Sequence, residues 1–406
     1  MKNNEYRVRL PLLKDNHSHT LTYSAMHGAP TLAGIDAKES AVEFMTKLEH
    51  KINVLLDWDE TKFHFNEKEL SSFPPVLICN VSLHKYIINL SARAMLKSID
   101  ENIAKNIEDQ AWVEKNLLEV LKFIASLMEF NDLKMGLHFG ELENAGVWYA
   151  EDMCVFDIGA VKYYKDSKYR NRTSLWASFP DYLRLPDNLR KEIKGIKVFA
   201  DGALAAHSAA LAKNYIAGGG GMLIYTNDEL LKILHAIAGM NKPIAIHAIG
   251  DAALDQAASV LRKIGVDKGN IQVRLEHCQF ITKKIASELK SHGVVLSMQP
   301  NFSRDSIRYA DRLPSAYRNQ NNPFRMLIDD IKYKPGEDLL FGSDGMPHGM
   351  EQALKWSLFP PYKSQQLKIE EFINGYCMPD MKNGYAEVEI DEEKESVRMI
   401  GLSLET

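Results

Sequence analysis

The chain has 406 residues, 45% of them hydrophobic and 25% charged, with 49 basic against 54 acidic side chains and a formal net charge of −5. At roughly 150 residues per domain this is two to three domains, unless an α/β barrel of ~250 residues or more takes up most of the chain. The mild acidity argues against a nucleic-acid or anionic-membrane partner, and no apolar window approaches the ~18 residues of a membrane span.

Met1–Leu13 lacks the apolar core and small-residue cleavage site of a secretory signal. Cys79, Cys154, Cys278 and Cys377 are scattered with no CxxC pair, as expected for reduced thiols in a cytoplasmic protein.

Short apolar runs then recur along the chain: Leu10–Asp15, Ile52–Leu56, Pro75–Cys79, Leu133–Phe139, Ile193–Ala200, Pro243–His247, Ile271–His277, Val294–Gln299 and Leu339–Asp344. Runs of this kind predict strands buried on both faces, as in parallel sheets. Residues 57–130 and 149–190 read as insertions or lids. Gly218–Gly221 reads as a mobile loop, because Met222-Leu223-Ile224-Tyr225 follows where a phosphate loop needs Lys and Ser/Thr on a helix. Thr226 and Glu229 form a capping box ahead of Leu230, Ile233, Leu234 and Ile237. Leu254, Ala257, Leu261 and Ile264 recur at helical spacing until Gly265 stops them, and Ile285 and Leu289 mark a short helix ending at Gly293. Ala386–Leu404 alternates in two halves around Asp391-Glu392-Glu393, which predicts an appended hairpin. The strand–helix alternation predicts a doubly wound sheet or a (β/α)8 barrel.

Polar residues close these strands. His17 and His19, two apart in Asp15-Asn16-His17-Ser18-His19, share a face of an extended backbone. By the same alternation His247 shares its face with Ala245, His277 with Val273 and Leu275, and Asp344 with Gly342 and Leu340. In a closed barrel all strand C-termini meet at one end, where active sites lie. Histidines and an aspartate converging there suit a transition metal. His138, closing the run Leu133–Leu137, is expected to line the mouth as a candidate substrate-binding residue, or else to be a satisfied core histidine. Gln299 and Arg304 follow strand seven as candidate substrate-binding residues, Arg304 for a carboxylate. Arg274 and Glu276, of opposite parity to His277, are expected to pair with each other facing the helical layer.

This arrangement resembles the amidohydrolase superfamily of metal-dependent hydrolases. More narrowly it is similar to amidohydrolase family 3, the group of YtcJ-like proteins and N-substituted formamide deformylases. The motifs that carry the resemblance are Asp15-Asn16-His17-Ser18-His19, Lys197 with Val198-Phe199-Ala200-Asp201-Gly202, and His247-Ala248-Ile249-Gly250-Asp251-Ala252-Ala253. Glu276-His277-Cys278-Gln279, Met298-Gln299-Pro300 and Gly342-Ser343-Asp344 complete them.

The resemblance implies an α/β fold, a (β/α)8 TIM barrel over residues 6–380 with long insertions. The β-sandwich subdomain beside it would be truncated or missing, with residues 381–406 as a remnant hairpin. His17, His19, His247, His277 and Asp344 are implied metal ligands. Lys197 is implied to be catalytic and a bridging ligand when carboxylated, or else a cation paired with Asp201. His84 matches a second-strand histidine and is implied to be catalytic by donating to the substrate, or else is an ordinary loop histidine.

The implied cofactor is a divalent metal, zinc first, as one ion or two. The implied reaction is hydrolysis of an amide-like C–N bond, in an N-formyl or N-acyl amine or a cyclic amide, with Asp344 as the proton shuttle for metal-activated hydroxide. A lactonase, a phosphotriesterase and a catalytically silent metal-binding barrel are the alternatives. The expected partner is a small-molecule substrate, with a homo-oligomer covering edges left by absent sandwich strands.

Overall fold

The computed structural model of the chain describes residues 5–128, 130–155, 158–265 and 271–405. Its strands are β1 (Glu5–Pro11), β2 (Leu13–Ser18), β3 (Asn53–Trp58), β4 (Val76–Asn80), β5 (Tyr86–Ile88), β6 (Val147–Val155), β7 (Thr173–Ser178), β8 (Ile193–Phe199), β9 (Ile244–Ala248), β10 (Val273–His277), β11 (Val295–Met298), β12 (Leu339–Phe341), β13 (Gly384–Asp391) and β14 (Ser396–Leu404).

β2 and β6 to β12 form one eight-stranded parallel sheet in chain order. Its two ends approach each other: Asn16 Nδ2 donates to the Phe341 carbonyl at 2.9 Å, and the Asp344 amide donates to the His17 carbonyl at 2.7 Å. The sheet is thereby nearly closed into the expected TIM barrel. The predicted helices surround its second half. Asn227–Ala238 carries the Thr226–Glu229 capping box, Asp251–Ile264 ends on left-handed Gly265, and Lys283–Ser291 precedes β11.

Several expected elements move. Barrel strands two and three, β6 and β7, lie within the stretch read as an insertion. Glu151, Asp152 and Ser174 break their apolar pattern, and the two acids are buried in the fold. The run Leu133–Phe139 is no strand; it lies in the helix Asp132–Asn144, burying Met135, Phe139 and Leu142 while Leu133 and Leu137 stay exposed. That spacing is the helical period of three to four. Ile52–Leu56 and Pro75–Cys79 are strands, but of a separate sheet, β3-β4-β5.

Residues 5–11, expected inside the barrel domain, pair instead with the C-terminal hairpin in a three-stranded antiparallel sheet. Arg7 faces Glu389 and Arg9 faces Glu387 across this ladder, each pair within 2.9 Å. Opposite charges directly across a ladder favour this register. The alternation Arg7-Val8-Arg9-Leu10 marks a strand with one solvent face rather than a doubly buried barrel strand.

The chain divides into two compact units, one of residues 1–24, 136–202 and 209–406, the other of residues 25–135 and 203–208. The first holds the barrel and the terminal sheet. Within its barrel Met153, Trp176 and Ala245 pack together, and a Cβ on Gly195 would collide with the Trp176 indole. The second unit packs helices Lys38–Thr46 and Glu67–Ser72 with its sheet around Leu55, Trp58, Phe63, Phe65 and Ile78. Among the described residues no helix is long and apolar enough to cross a membrane.

Candidate metal centre

The C-terminal ends of β2, β10 and β12 bring His17, His277 and Asp344 together, with one potential ligand atom from each lying within 4.8 Å of the others. Asp344 Oδ1 is 3.4 Å from His17 Nε2 and 3.1 Å from His19 Nε2. The His277 ring lies 4.6 Å from that of His17 and 4.5 Å from that of His247. All five expected metal ligands therefore gather at one end of the barrel.

Strand alternation alone would not gather them. Arg274 and Glu276 reach β6 and β2 residues, which are not neighbours of β10, so their side chains cross the barrel interior. By parity His277 would then face the helices. It does not, because His277 has φ 71° and Asp344 has φ 58°. Left-handed backbone is sparse for side-chain-bearing residues and concentrates at functional sites. Here it turns the strand ends inward. The expected Arg274–Glu276 pair exists, with Nε to Oε1 at 2.5 Å, but it lies inside the barrel rather than toward the helices.

Hydrogen bonds assign the imidazole nitrogens. His17 Nδ1 lies 2.6 Å from Glu276 Oε2 and His277 Nδ1 lies 2.9 Å from Gln299 Oε1. Both partners accept, so each ring carries its proton on Nδ1 and keeps the Nε2 lone pair. Burial first, then Lys197 and His19 around His17 and His247 and His17 around His277, hold both rings well below the ordinary imidazole range and therefore neutral. Neutral imidazole is the ligating form. His17 Nε2 is buried and has no hydrogen-bond partner among the described residues, the atom a cation would satisfy. His247 differs: its Nε2 donates to the Gly202 carbonyl at 3.1 Å, leaving Nδ1 as the lone-pair nitrogen.

Lys197 is buried on β8 with its ammonium disfavoured by burial, an effect that Glu276 and Asp344 oppose. The Asp201 carboxylate accepts from the amides of Ala210, Ile249 and Gly250 at 2.8–3.0 Å. Gln299 Oε1 touches His277 Nδ1 and orients that ring, while its buried Nε2 has no hydrogen-bond partner among the described residues. Arg304 Nη2 donates to the Met346 carbonyl at 3.1 Å and holds the loop after β12.

His138 sits on a helix, its ring 6.2 Å from Tyr23 and 5.7 Å from His348; Tyr23 Oη donates to the Asp344 carbonyl at 3.3 Å. His84 lies in the second unit, between β4 and β5 rather than at barrel strand two, with Nδ1 3.0 Å from Glu114 Oε2. Burial pushes the Glu114 carboxyl up, but His84, Ser208 and Gln110 outweigh it and hold it below the ordinary carboxylate range.

Sequence reasoning missed the partners behind the ligands: Glu276 for His17, Gln299 for His277, and Arg274 with Glu151 behind Glu276. The available signal was a pair of charges inside an otherwise apolar strand, Val273-Arg274-Leu275-Glu276-His277.

Comparison with known proteins agrees with this geometry. Residues 149–349 match the model of the amidohydrolase family. YtcJ of Bacillus subtilis (strain 168), which carries an amidohydrolase name, is 26% identical over 125 residues, 30% of this chain and 23% of that protein. LONG AFTER FAR-RED 3 of Arabidopsis thaliana is 29% identical over 164 residues, 37% of this chain and 28% of that protein. The matched stretches thus span about a quarter of these two curated relatives.

Two solved structures share the fold. An uncharacterized metal-dependent hydrolase from Pyrococcus furiosus aligns with TM-score 0.64 and 19% identity over 90% of this chain and 80% of its own. One from Pyrococcus horikoshii OT3 gives TM-score 0.61 and 21% identity over 87% and 74%. With these motifs on the strand ends of a barrel of this kind, residues 149–349, which carry Lys197, His247, His277 and Asp344, are similar to the amidohydrolase family.

Proposed function

We propose that this protein is a metal-dependent hydrolase that cleaves an amide-like C–N bond, in an N-formyl or N-acyl amine or a cyclic amide. The observation that carries the reading is the cluster of His17, His277 and Asp344 within 4.8 Å, in which both imidazoles are neutral and have Nδ1 already engaged. Two nitrogens and a carboxylate oxygen suit a borderline divalent ion, and zinc is the first choice. His19, beside Asp344, and His247, through Nδ1, would complete the proposed ligand set, and Lys197, if carboxylated, would add a further oxygen ligand. A divalent ion held there lowers the pKa of a water molecule toward ~7 and polarises a carbonyl oxygen.

The rest is the work of the side chains. Asp344 Oδ1 faces two imidazole nitrogens and accepts the proton that water loses when its oxygen bonds to the carbonyl carbon. The same carboxyl then returns that proton to the departing nitrogen as the C–N bond breaks, giving acid and amine. Amide nitrogen leaves poorly unless protonated, so the shuttle matters more here than for an ester. Glu276 and Gln299 hold two rings in place throughout, and the burial of His17 and His277 keeps bulk water from competing.

The test pairs elemental analysis of the purified protein with a hydrolysis screen of N-formyl, N-acetyl and cyclic-amide compounds, with and without a chelator. The expected result is bound divalent metal, chelator-sensitive amide hydrolysis, and an Asp344→Asn variant that keeps metal but loses ~100-fold or more of the rate. Metal without hydrolysis of any amide, or hydrolysis confined to lactones or phosphotriesters, overturns the assignment.

A further inference from the structure

A group of buried charges adjoins the His17 side of the candidate metal centre. Lys194 Nζ donates to Glu151 Oε1 at 2.6 Å, and Glu151 Oε2 accepts from Arg274 Nη1 at 2.9 Å and Trp176 Nε1 at 2.8 Å. Arg274 Nε then donates to Glu276 Oε1 at 2.5 Å, and Glu276 Oε2 meets His17 Nδ1 at 2.6 Å. The side chains of Glu151, Arg274 and Glu276 are at most 4% exposed. A row of alternating charge thus runs through the barrel from β8 and β6 to β10 and ends on an imidazole of β2.

Stability alone does not account for this row. Burying each ion carries a desolvation cost before pairing, and well-packed apolar residues of similar volume often hold a core as well or better. What the row does is visible at its end. The Arg274 guanidinium donates to both oxygens of Glu276, Nε to Oε1 at 2.5 Å and Nη2 to Oε2 at 3.1 Å, so the carboxylate is held with Oε2 turned to His17. A carboxylate whose two oxygens both take guanidinium hydrogens accepts from the imidazole, so the His17 proton sits on Nδ1 and the buried Nε2 faces Asp344. Arg274 acts on the other side as well: its Nη2 donates to the Asn16 carbonyl at 2.5 Å, fixing the backbone next to His17.

We propose that Arg274 and Glu276 are positioning residues that make His17 a divalent-metal ligand, Glu276 by holding its tautomer and Arg274 by holding both Glu276 and the Asn16 carbonyl. This rests on the metal-centre reading above. Carboxylates behind ligating histidines typically contribute 10–100-fold to metal affinity.

The experiment measures zinc affinity of the full-length, metal-stripped protein by competition with a chromophoric chelator, and the His17 tautomer by nitrogen-15 NMR of the same metal-free sample. Wild type is expected to bind zinc and to carry the His17 proton on Nδ1. Glu276→Gln, whose amide can turn a donor toward Nδ1, is expected to move that proton to Nε2 and weaken zinc by about 10–100-fold. The double variant Arg274→Met with Glu276→Met replaces the pair by apolar side chains; it is expected to keep its circular-dichroism spectrum and lose zinc affinity to a similar degree.

Zinc affinity within twofold of wild type in either variant overturns the proposal, as does a wild-type His17 with its proton on Nε2. A wild type with the Nδ1 tautomer but no affinity for zinc instead refutes the metal-centre reading on which the proposal stands.

Discussion

Asp305 opens the short helix after β11 and is buried, its Oδ2 accepting from Gln279 Nε2 at 3.0 Å. Burial, opposed in part by Arg304, Arg308 and the Gln279 hydrogen bond, pushes its carboxyl up from 3.8 to about 6. The gap, 6 minus 3.8, is about two pH units, or roughly 3 kcal/mol. Because the folded value is the higher one, folding takes up a proton between these pH values. The favourable contribution of the neutral acid is complete below about pH 4 and is lost as the pH rises through about 6. Asp305→Asn keeps a carbonyl oxygen for Gln279 and has no charge to bury. It should therefore stabilise the protein by ~1.5 kcal/mol at pH 5 and ~3 kcal/mol at pH 8, and by almost nothing below pH 4. Urea denaturation of both proteins at pH 5 and pH 8, compared at a common slope, reads this difference. A gain that does not grow with pH, or a variant less stable than wild type at pH 8, refutes the reasoning.

Two further outcomes concern the centre itself. A Cβ at Gly342 would collide with the His17 amide nitrogen and Asp15 Oδ1, which accepts from the amides of His17 at 3.2 Å and Ser343 at 2.8 Å. Gly342→Ala should cost about 1–3 kcal/mol by thermal denaturation and weaken zinc binding, since β2 and the turn before Asp344 must separate; wild-type values for both refute the geometry. Burial disfavours the Lys197 ammonium, the direction that carbamate formation needs. Incubation with carbon-13 bicarbonate should give a carbamate resonance that disappears in Lys197→Met, and its absence from the wild-type spectrum refutes the ligand role.

Much of the barrel was legible because its signals are local. Strands β8 to β12 are short apolar runs ending in polar residues, and the helices after β8, β9 and β10 carry their own caps and stops. β6 and β7 escaped because Glu151, Asp152 and Ser174 are polar for reasons visible only across the barrel, where Arg274 and Trp176 meet Glu151. Leu133–Phe139 misled because seven residues of apolar character do not separate a strand from a helix, whereas the longer spacing Met135, Phe139, Leu142 does. Gln299 was recognised as a site residue, but not as the partner of His277.

By itself the sequence determined a parallel strand–helix alternation, open to a doubly wound sheet or a barrel, and the motifs whose family resemblance implied the barrel and five candidate ligands, because strand period, helix caps and motif spacing are written within a few residues of one another. Only the tertiary structure decided which imidazole nitrogen each ligand presents, which acids lie inside the barrel, and that His277 and Asp344 point inward. Those depend on contacts between strands distant in the chain and on left-handed backbone at two strand ends, where φ is 71° and 58°. Side-chain alternation assumes an extended backbone, so it cannot anticipate a residue at which the extension breaks.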